Sequence, residues 1–519
     1  MKSLRIGLCV AGAWGFWAQC QSGPVPPPDG KTALGPKVEC ATLRSLTGYE
    51  FTVELAALIP ASQDAPEYCH VRGQVLPEVQ FEVNLPTSWD QRFTMFGNGG
   101  WAGNDLDAPN SAGAHHRALR AGFVTAATNT GHDAALEPGA SFAQDRQKLL
   151  DYAFRSLHVT AETAKRIAAV YYGARPARSY FQGCSTGGRQ ALILAQRFPE
   201  DFDGIIAGAP VLDFTGTMVS FACNALAVAS GPLPYAKLSL LADRIYDECD
   251  AKDGLKDGLI DDPRRCDFQP SRDLPKCAAG ADNADCFTAA QIGALEKIYG
   301  DITSRGRRIF PGWPVSGEVA GPNGHSGWSA WIVQEHGGQT IEGGFAEEFF
   351  RYMASPRPNP KFDLASFDVN NDPERLTWIH KILDATDTDL SGFQKHGGKL
   401  LMFHGWADQA LNARMSVEYY ERVTQRMGAS TKDFFRLFMV PGMFHCGGGI
   451  GTGTFDMLAP LMTWVEQGTA PDRIAAARVV NGKTVRTRPL CPYPQIAKYK
   501  GSGSIDEAEN FACTAPPGQ

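Results

Sequence analysis

The chain has 519 residues, 49 Lys and Arg against 56 Asp and Glu for a formal net charge of −7, and 43% hydrophobic residues. The apolar fraction excludes wholesale disorder, and the acidic balance gives no electrostatic reason to bind nucleic acid or an anionic membrane. The length exceeds one compact core, so one large domain with a substantial insertion, or two domains, is expected, with many turns from 55 Gly and 34 Pro.

Residues 1–20 read as an export signal: Lys2 and Arg5 precede an apolar run, Ile6 to Ala18, too short for a comfortable membrane span. Residues 21–39 form a Pro-rich spacer. Cys20 stands where a lipidated first residue would, but Gln19 before it suits lipoprotein cleavage poorly, so a secreted or periplasmic protein without an anchor is expected. From about Glu82 the segments FEVNLP, RFTMFGNGG, GFVTAATNTG and ARSYFQG have the pattern of short buried strands. Ala161–Tyr172 and Gly188–Phe198 have helical spacing. The pattern returns in KLLMFHG and FFRLFMVPG, with a helix over Met415–Met427 between them and a closing helix over Asp456–Gly468. This alternation predicts an α/β fold, a parallel sheet with helices on both faces, in two parts, 40–210 and 396–519. Between them, 211–395 breaks the rhythm with five cysteines and a Trp cluster and reads as an insertion over one edge of the sheet. No apolar run after the signal reaches ~18 residues, so no membrane span is expected.

Thirteen cysteines suit an oxidising compartment. Cys9 and Cys20 would leave with the signal, and the odd remainder predicts one free thiol. No Cys/His ladder suggests zinc, which leaves disulfides as the economical reading.

Gly183-Cys184-Ser185-Thr186-Gly187 lies between a strand-like and a helix-like segment, the setting of a nucleophile elbow. Ser185 needs a base. Asp408 and His445 follow it in the order acid then base, each at the end of a strand-like run. His445 would take the Ser185 proton while Asp408 orients and stabilises the imidazolium. His404 and His132 are rival bases, but their places within or just after strand-like runs suit structural histidines better. Cys184 precedes the candidate nucleophile and Cys446 follows the candidate base, so a bond between them would tie the two loops together. Asp250, Asp253 and Asp257, separated by glycines, suit a hard cation, but composition alone leaves a solvated acidic turn equally open. Trp328 and Trp331 offer either stacking surface for an aromatic acyl group or simple core of the insertion.

The Cys-Ser elbow, the later Asp and the His-Cys pair resemble the tannase and feruloyl esterase family of secreted serine esterases, some of which act on a terephthalate monoester. The likeness runs from about Cys40 to Cys513 through RFTMFGNGG, SYFQGCSTGGRQ, QRFPEDFDGIIAGAP, LMFHGWAD, VPGMFHCGGG and RTRPLCPYPQIAKYKGSGSIDEAENFAC. It implies an α/β-hydrolase fold whose insertion is a lid holding disulfides and calcium. It further implies pairing of Cys40 with Cys69, Cys184 with Cys446, Cys249 with Cys266, Cys277 with Cys286 and Cys491 with Cys513, leaving Cys223 free. The N–H groups of Gly100 and Thr186 would form the oxyanion hole. A structural Ca2+ would take the side chains of Asp250, Asp253 and Asp257 and the carbonyls of Leu255 and Leu259, and catalysis would need no cofactor.

The expected substrate is a small neutral ester of a hydroxycinnamic or related phenolic acid. Leu411 stands where family members acting on terephthalate monoesters carry an aromatic ring, and HGGQTIEGGFAEEFF has acidic residues and no cation for a free carboxylate. Terephthalate-monoester and galloyl-ester hydrolysis are the alternatives of the same class. A silent aromatic-binding module and an acyltransferase are those of other classes. A monomer or weak oligomer is expected.

Overall fold

The computed structural model describes residues 32–106, 109–321, 326–335 and 338–516. The expected export signal, Cys9, Cys20 and most of the Pro-rich spacer lie outside the described residues. What is described of the spacer is docked on the body: Leu34 exchanges backbone hydrogen bonds with Trp89 at 2.8 and 2.9 Å.

Seven strands come first: β1 (Phe51–Ile59), β2 (Tyr68–Val75), β3 (Val79–Pro86), β4 (Arg92–Phe96), β5 (Val124–Thr128), β6 (Arg178–Cys184) and β7 (Gly204–Gly208). After a long excursion containing the hairpin β8 (Ile302–Ser304) and β9 (Arg307–Phe310), β10 (Lys399–Gly405) and β11 (Phe435–Val440) rejoin them. The result is a nine-stranded sheet in the order β1-β2-β3-β5-β4-β6-β7-β10-β11. Pairing is parallel from β5 to β11, as expected, but antiparallel across β1, β2, β3 and β5. The sheet is therefore mixed. The reason is chain length: β2 and β3 are joined by a tight turn, too short for the crossover that parallel neighbours require.

The strands alternate between two apolar cores. Phe181, Ile205, Leu400 and Met402 face one side, and Tyr180, Ile206, Leu401 and Phe403 face the other. Both faces are thus covered, which is why these strands read as continuous apolar runs. Ser156–Tyr172, Thr186–Arg197 and Arg414–Met427 are helices, and Leu458–Gln467 closes the second face. A small sheet of β12 (Thr454–Phe455), β13 (Ile474–Val480) and β14 (Lys483–Leu490) follows, then the hairpin β15 (Ile496–Tyr499) and β16 (Phe511–Thr514).

The excursion between β7 and β10 is mainly helical, including Phe214–Ser230, Tyr235–Cys249, Ala289–Tyr299, Ile341–Tyr352 and Thr377–Leu383. A capping box of Thr288 and Gln291 starts the third of these. Its entry and exit are tied together: Ala385 N–H donates to the Leu212 carbonyl at 2.8 Å, and Asp384 accepts from the Thr215 N–H and hydroxyl. The buried Arg189 guanidinium, on the helix that follows β6, donates to the carbonyls of Ala153 and Leu383. Disulfides join Cys40–Cys69, Cys184–Cys446, Cys249–Cys266, Cys277–Cys286 and Cys491–Cys513, the pairs the resemblance implies. Among the described residues Cys223 is the free cysteine. Among the described residues no single helix is long and apolar enough to cross a membrane.

Candidate active site

Ser185 sits between β6 and helix Thr186–Arg197, with φ 65° and ψ −122°, a conformation that an L-residue holds only under constraint. The constraint is local. Ser185 N–H donates to the Gly208 carbonyl at 3.0 Å, and the Ser185 carbonyl accepts from Arg189 and Val211. Strand and helix approach so closely that a Cβ at Gly183 would lie 2.4 Å from the Gly187 carbonyl oxygen, and one at Gly188 would lie 2.3 Å from that of Gly208. Only glycine permits this turn. It presents the half-buried Ser185 at a helix N-terminus, where backbone N–H groups lack helical acceptors.

Asp408 follows β10 and His445 follows β11, two neighbouring parallel strands, so both emerge at the same sheet edge as the end of β6. His445 Nδ1 lies 2.8 Å from Asp408 Oδ2. Asp408 Oδ1 accepts from the N–H groups of Ala410 and Leu411, both at 2.8 Å. Burial alone would raise the Asp408 pKa, but His445 and His404 outweigh it and hold the carboxyl well below its usual range. His404 is fully buried, with Nε2 3.1 Å from Asp408 Oδ2 and Nδ1 2.8 Å from Ser416 Oγ. His132 is also buried, stacked on Phe142 with centroids 3.9 Å apart, and burial pushes it down to about 4. The Cys184–Cys446 bond joins the residues flanking Ser185 and His445, with Cα atoms 6.0 Å apart.

Gly100 lies in the turn after β4 with φ 52°. Its carbonyl accepts from the Thr186 hydroxyl at 2.8 Å and from the Tyr152 hydroxyl at 3.1 Å. The same turn is held to the elbow helix by a reciprocal pair. Gln190 Oε1 accepts from the Asn98 N–H at 2.9 Å, and Gln190 Nε2 donates to Asn98 Oδ1 at 3.1 Å.

The aromatic surroundings differ from expectation. Trp331 is half-buried with its ring edge-on to His445, centroids 6.0 Å apart. Trp328 is fully buried 5.5 Å from Tyr299, so it belongs to the core of the excursion and offers no stacking face. Leu411 is buried too, and its backbone N–H serves Asp408. Phe345 and Trp101, neither singled out from the sequence, pack 5.1 Å apart, and a Cβ on Gly100 would lie 3.7 Å from the Phe345 ring. Three partly buried rings, Trp101, Trp331 and Phe345, therefore lie against the Gly100 turn and His445.

A family model described as "Tannase and feruloyl esterase" matches residues 64–514. The chain is 36% identical over 535 aligned positions to a mono(2-hydroxyethyl) terephthalate hydrolase of Piscinibacter sakaiensis, covering 90% of this chain and 89% of the relative. It is 31% identical to a probable feruloyl esterase B-2 of Aspergillus terreus, covering 84% and 83%. It also superposes on the crystal structure of feruloyl esterase B from Aspergillus oryzae with a TM-score of 0.78 and 27% identity, covering 92% of this chain and 99% of that one. The chain belongs to the tannase and feruloyl esterase family.

As a member of the tannase and feruloyl esterase family it is a carboxylic ester hydrolase. In this family chain the acidic turn is folded around its own backbone. Asp250 accepts from the N–H groups of Asp257 and Gly258 at 3.1 Å, and Asp253 accepts from Leu255 at 2.9 Å. Asp257 accepts from Leu259 at 3.2 Å and from the Arg488 guanidinium at 2.6 Å. Among the described residues, no group of three His, Cys, Asp or Glu side chains is placed to hold a metal ion. Two contacts lie outside the residues that the sequence pattern points to: Gln409 Oε1 accepts from the His445 N–H at 3.1 Å, and Asn98 pairs with Gln190. Adjacency of Gln409 to Asp408 was the available signal for the first; nothing local marks the second.

Proposed function

We propose that the protein is a secreted or periplasmic serine esterase of α/β-hydrolase type that hydrolyses esters of hydroxycinnamic and related phenolic acids through an acyl-enzyme on Ser185. The observation that carries the reading is the strained Ser185 turn, cross-linked through Cys184–Cys446 to the loop whose His445 is bonded to Asp408. The disulfides support an oxidising compartment.

With its Nδ1–H donated to Asp408, His445 has Nε2 free to accept a proton. Nε2 takes the Ser185 hydroxyl proton as Oγ bonds to the ester carbonyl carbon, and the carbonyl electron pair moves onto oxygen. The N–H groups of Gly100 and Thr186 receive that oxyanion, and the ionised Asp408 stabilises the imidazolium. Collapse breaks the bond to the alcohol, which leaves with the proton from His445. Water then enters by the same route in reverse and releases the acid. Trp331, Phe345 and Trp101 supply ring faces and edges for an aromatic acyl group.

Initial rates on methyl ferulate, methyl gallate and mono(2-hydroxyethyl) terephthalate, with fluorophosphonate labelling of Ser185, test this. Labelling that Ser185→Ala abolishes, with methyl ferulate preferred, is the expected result. No labelling would overturn the serine mechanism, and a strong preference for the terephthalate monoester would overturn the substrate class. The relative at 36% identity favours that second substrate. Against it, helix Ile341–Tyr352 contributes Glu347 and Glu348, and its one cation, Arg351, is paired to Glu347 at 2.6 Å, so this helix offers no unpaired cation to a free carboxylate.

A structural Ca2+ is proposed at the acidic turn, held by Asp250, Asp253 and Asp257 with the carbonyls of Leu255 and Leu259. The donor type suits calcium. Burial, followed by repulsion from Asp257 and Asp250, pushes Asp253 up to about 6, a cost that a bound cation would relieve. The side chains would have to leave their present backbone N–H partners to converge. A melting temperature raised by added Ca2+ and lowered by chelator is expected, and indifference to both would remove the site.

A further inference from the structure

The His445–Asp408 pair is one end of a longer buried chain of contacts. Asp408 Oδ2 is shared by two imidazoles: His445 Nδ1 at 2.8 Å and His404 Nε2 at 3.1 Å. Asp408 Oδ1 is taken by the two backbone N–H groups of Ala410 and Leu411. The far nitrogen of His404 meets Ser416 Oγ at 2.8 Å, on helix Arg414–Met427. His404 and Ser416 are both fully buried. Every contact in this row is satisfied by one proton arrangement. Ser416 donates to His404 Nδ1, His404 Nε2–H donates to Asp408, and His445 Nδ1–H donates to the same oxygen.

We propose that His404 is a positioning residue for the reaction, fixing the Asp408 carboxylate and, by competing with His445 for Oδ2, setting the basicity of His445; this rests on the triad reading above. A carboxylate oxygen that accepts two imidazole N–H groups carries less charge toward either one. Removing the His404 donor frees Oδ2 for His445 alone, strengthens that bond and favours imidazolium, so His445 is deprotonated only at higher pH. It also releases the carboxylate to rotate about its remaining partners, which lowers the fraction of His445 in productive orientation. Ser416 acts one step further out by holding the His404 tautomer whose Nε2 carries the proton.

Glu342, on helix Ile341–Tyr352 of the excursion, interacts electrostatically with Asp408. It is fully buried, one carboxyl oxygen accepts from Asn224 at 2.9 Å, and burial, with the Asp408 charge adding to it, holds it well above the usual carboxylate range. Trp331 closes the remaining side of His445 with an uncharged ring.

The test compares His404→Leu, His404→Gln and Ser416→Ala with the intact full-length protein, on methyl ferulate or p-nitrophenyl acetate, below each variant's melting temperature. For His404→Leu, kcat should fall about 10–100-fold, the rate equivalent of one hydrogen bond to a charged group, with KM within about twofold. The acid limb of its kcat/KM profile should move to higher pH by about half a unit or more. His404→Gln, which keeps an N–H near the Nε2 position, should retain most of the turnover and the original acid limb. Ser416→Ala should displace the limb in the same direction by less.

A His404→Leu enzyme with unchanged kcat and an unmoved acid limb would overturn the proposal, as would one whose only defect is a lower melting temperature. Should that variant fail to fold, Ser416→Ala decides: an upward shift supports the proposal, and a profile superimposable on the parent overturns it. Fluorophosphonate labelling of Ser185 in the parent keeps the two readings apart. Unlabelled Ser185 defeats the triad assignment, whereas labelled Ser185 with an inert His404 defeats this inference alone.

Discussion

The Thr186 hydroxyl donates a hydrogen bond to the Gly100 carbonyl at 2.8 Å, so the two peptides proposed to hold the oxyanion are pinned to each other by a side chain. Thr186→Val keeps the shape and removes that donor. It should lower kcat about 5–10-fold with little change in KM, while Thr186→Ser should stay near the parent. Steady-state kinetics of the three proteins check this; equal kcat in all three would show that the Tyr152 hydroxyl holds Gly100 unaided.

The Cys184–Cys446 bond closes a loop with a sequence separation of 262. Replacing both cysteines with alanine should cost about 2–4 kcal/mol of stability. Turnover measured well below the melting temperature should nevertheless fall by about tenfold or more, because the Ser185 and His445 loops lose their covalent tie. Unchanged turnover in the folded variant would make the bond a matter of stability only.

Trp331 and Trp328 are three residues apart and should respond oppositely to alanine. Trp331→Ala should lower kcat/KM on methyl ferulate about tenfold, chiefly through KM, and leave p-nitrophenyl acetate hydrolysis nearly intact. Trp328→Ala should cost about 3–5 kcal/mol of stability and leave KM unchanged, since its ring is sealed within the excursion. Denaturant melts and paired kinetics separate the two.

Glu318 is fully buried, accepts from the Tyr299 hydroxyl at 2.7 Å and from Ser316 N–H at 2.9 Å, and burial pushes it up to about 7. A carboxyl raised in the folded state binds its proton more tightly there than in the unfolded chain. Its contribution to stability is complete below about pH 4.5, the ordinary Glu value, and is lost as pH rises through about 7. Glu318→Gln should therefore match the parent near pH 4 and exceed it in unfolding free energy at pH 8 to 9 by on the order of 3 kcal/mol, seen as a higher melting temperature. Parallel melting curves across that range would show the opposite if Glu318 were ionised in the folded protein at all of these pH values.

The tight turn at Ser185 and the meeting of Asp408 with His445 are legible because each is written locally: glycines that such a turn demands, and polar residues where apolar runs stop. The helices were also found within a few residues, for example Met415–Met427 against Arg414–Met427. β1 and β2 escape the sequence because the edge strand Phe51–Ile59 and its neighbour Tyr68–Val75 are only partly buried, with exposed or half-buried positions between the buried ones, unlike the two-sided apolar run of β10. The choice between Trp328 and Trp331 turns on how the excursion folds over the sheet, which spacing in a turn cannot specify. Gln190 and Asn98, 92 positions apart, meet only in three dimensions. His404 was rightly seen as a hydrogen-bonded structural residue, but that its partner is Asp408 required the fold.

Arg189 has a consequence for how the excursion can move. Its guanidinium runs from the helix that carries Ser185 to the Leu383 carbonyl, close to where Asp384 and Ala385 bind the other doorpost of the excursion. The base of the excursion is thus fixed to the helix that begins after Ser185, and it cannot shift there without breaking buried bonds. What motion remains must lie beyond that tether, in the distal helices, while the base of the excursion and the serine turn travel as one piece.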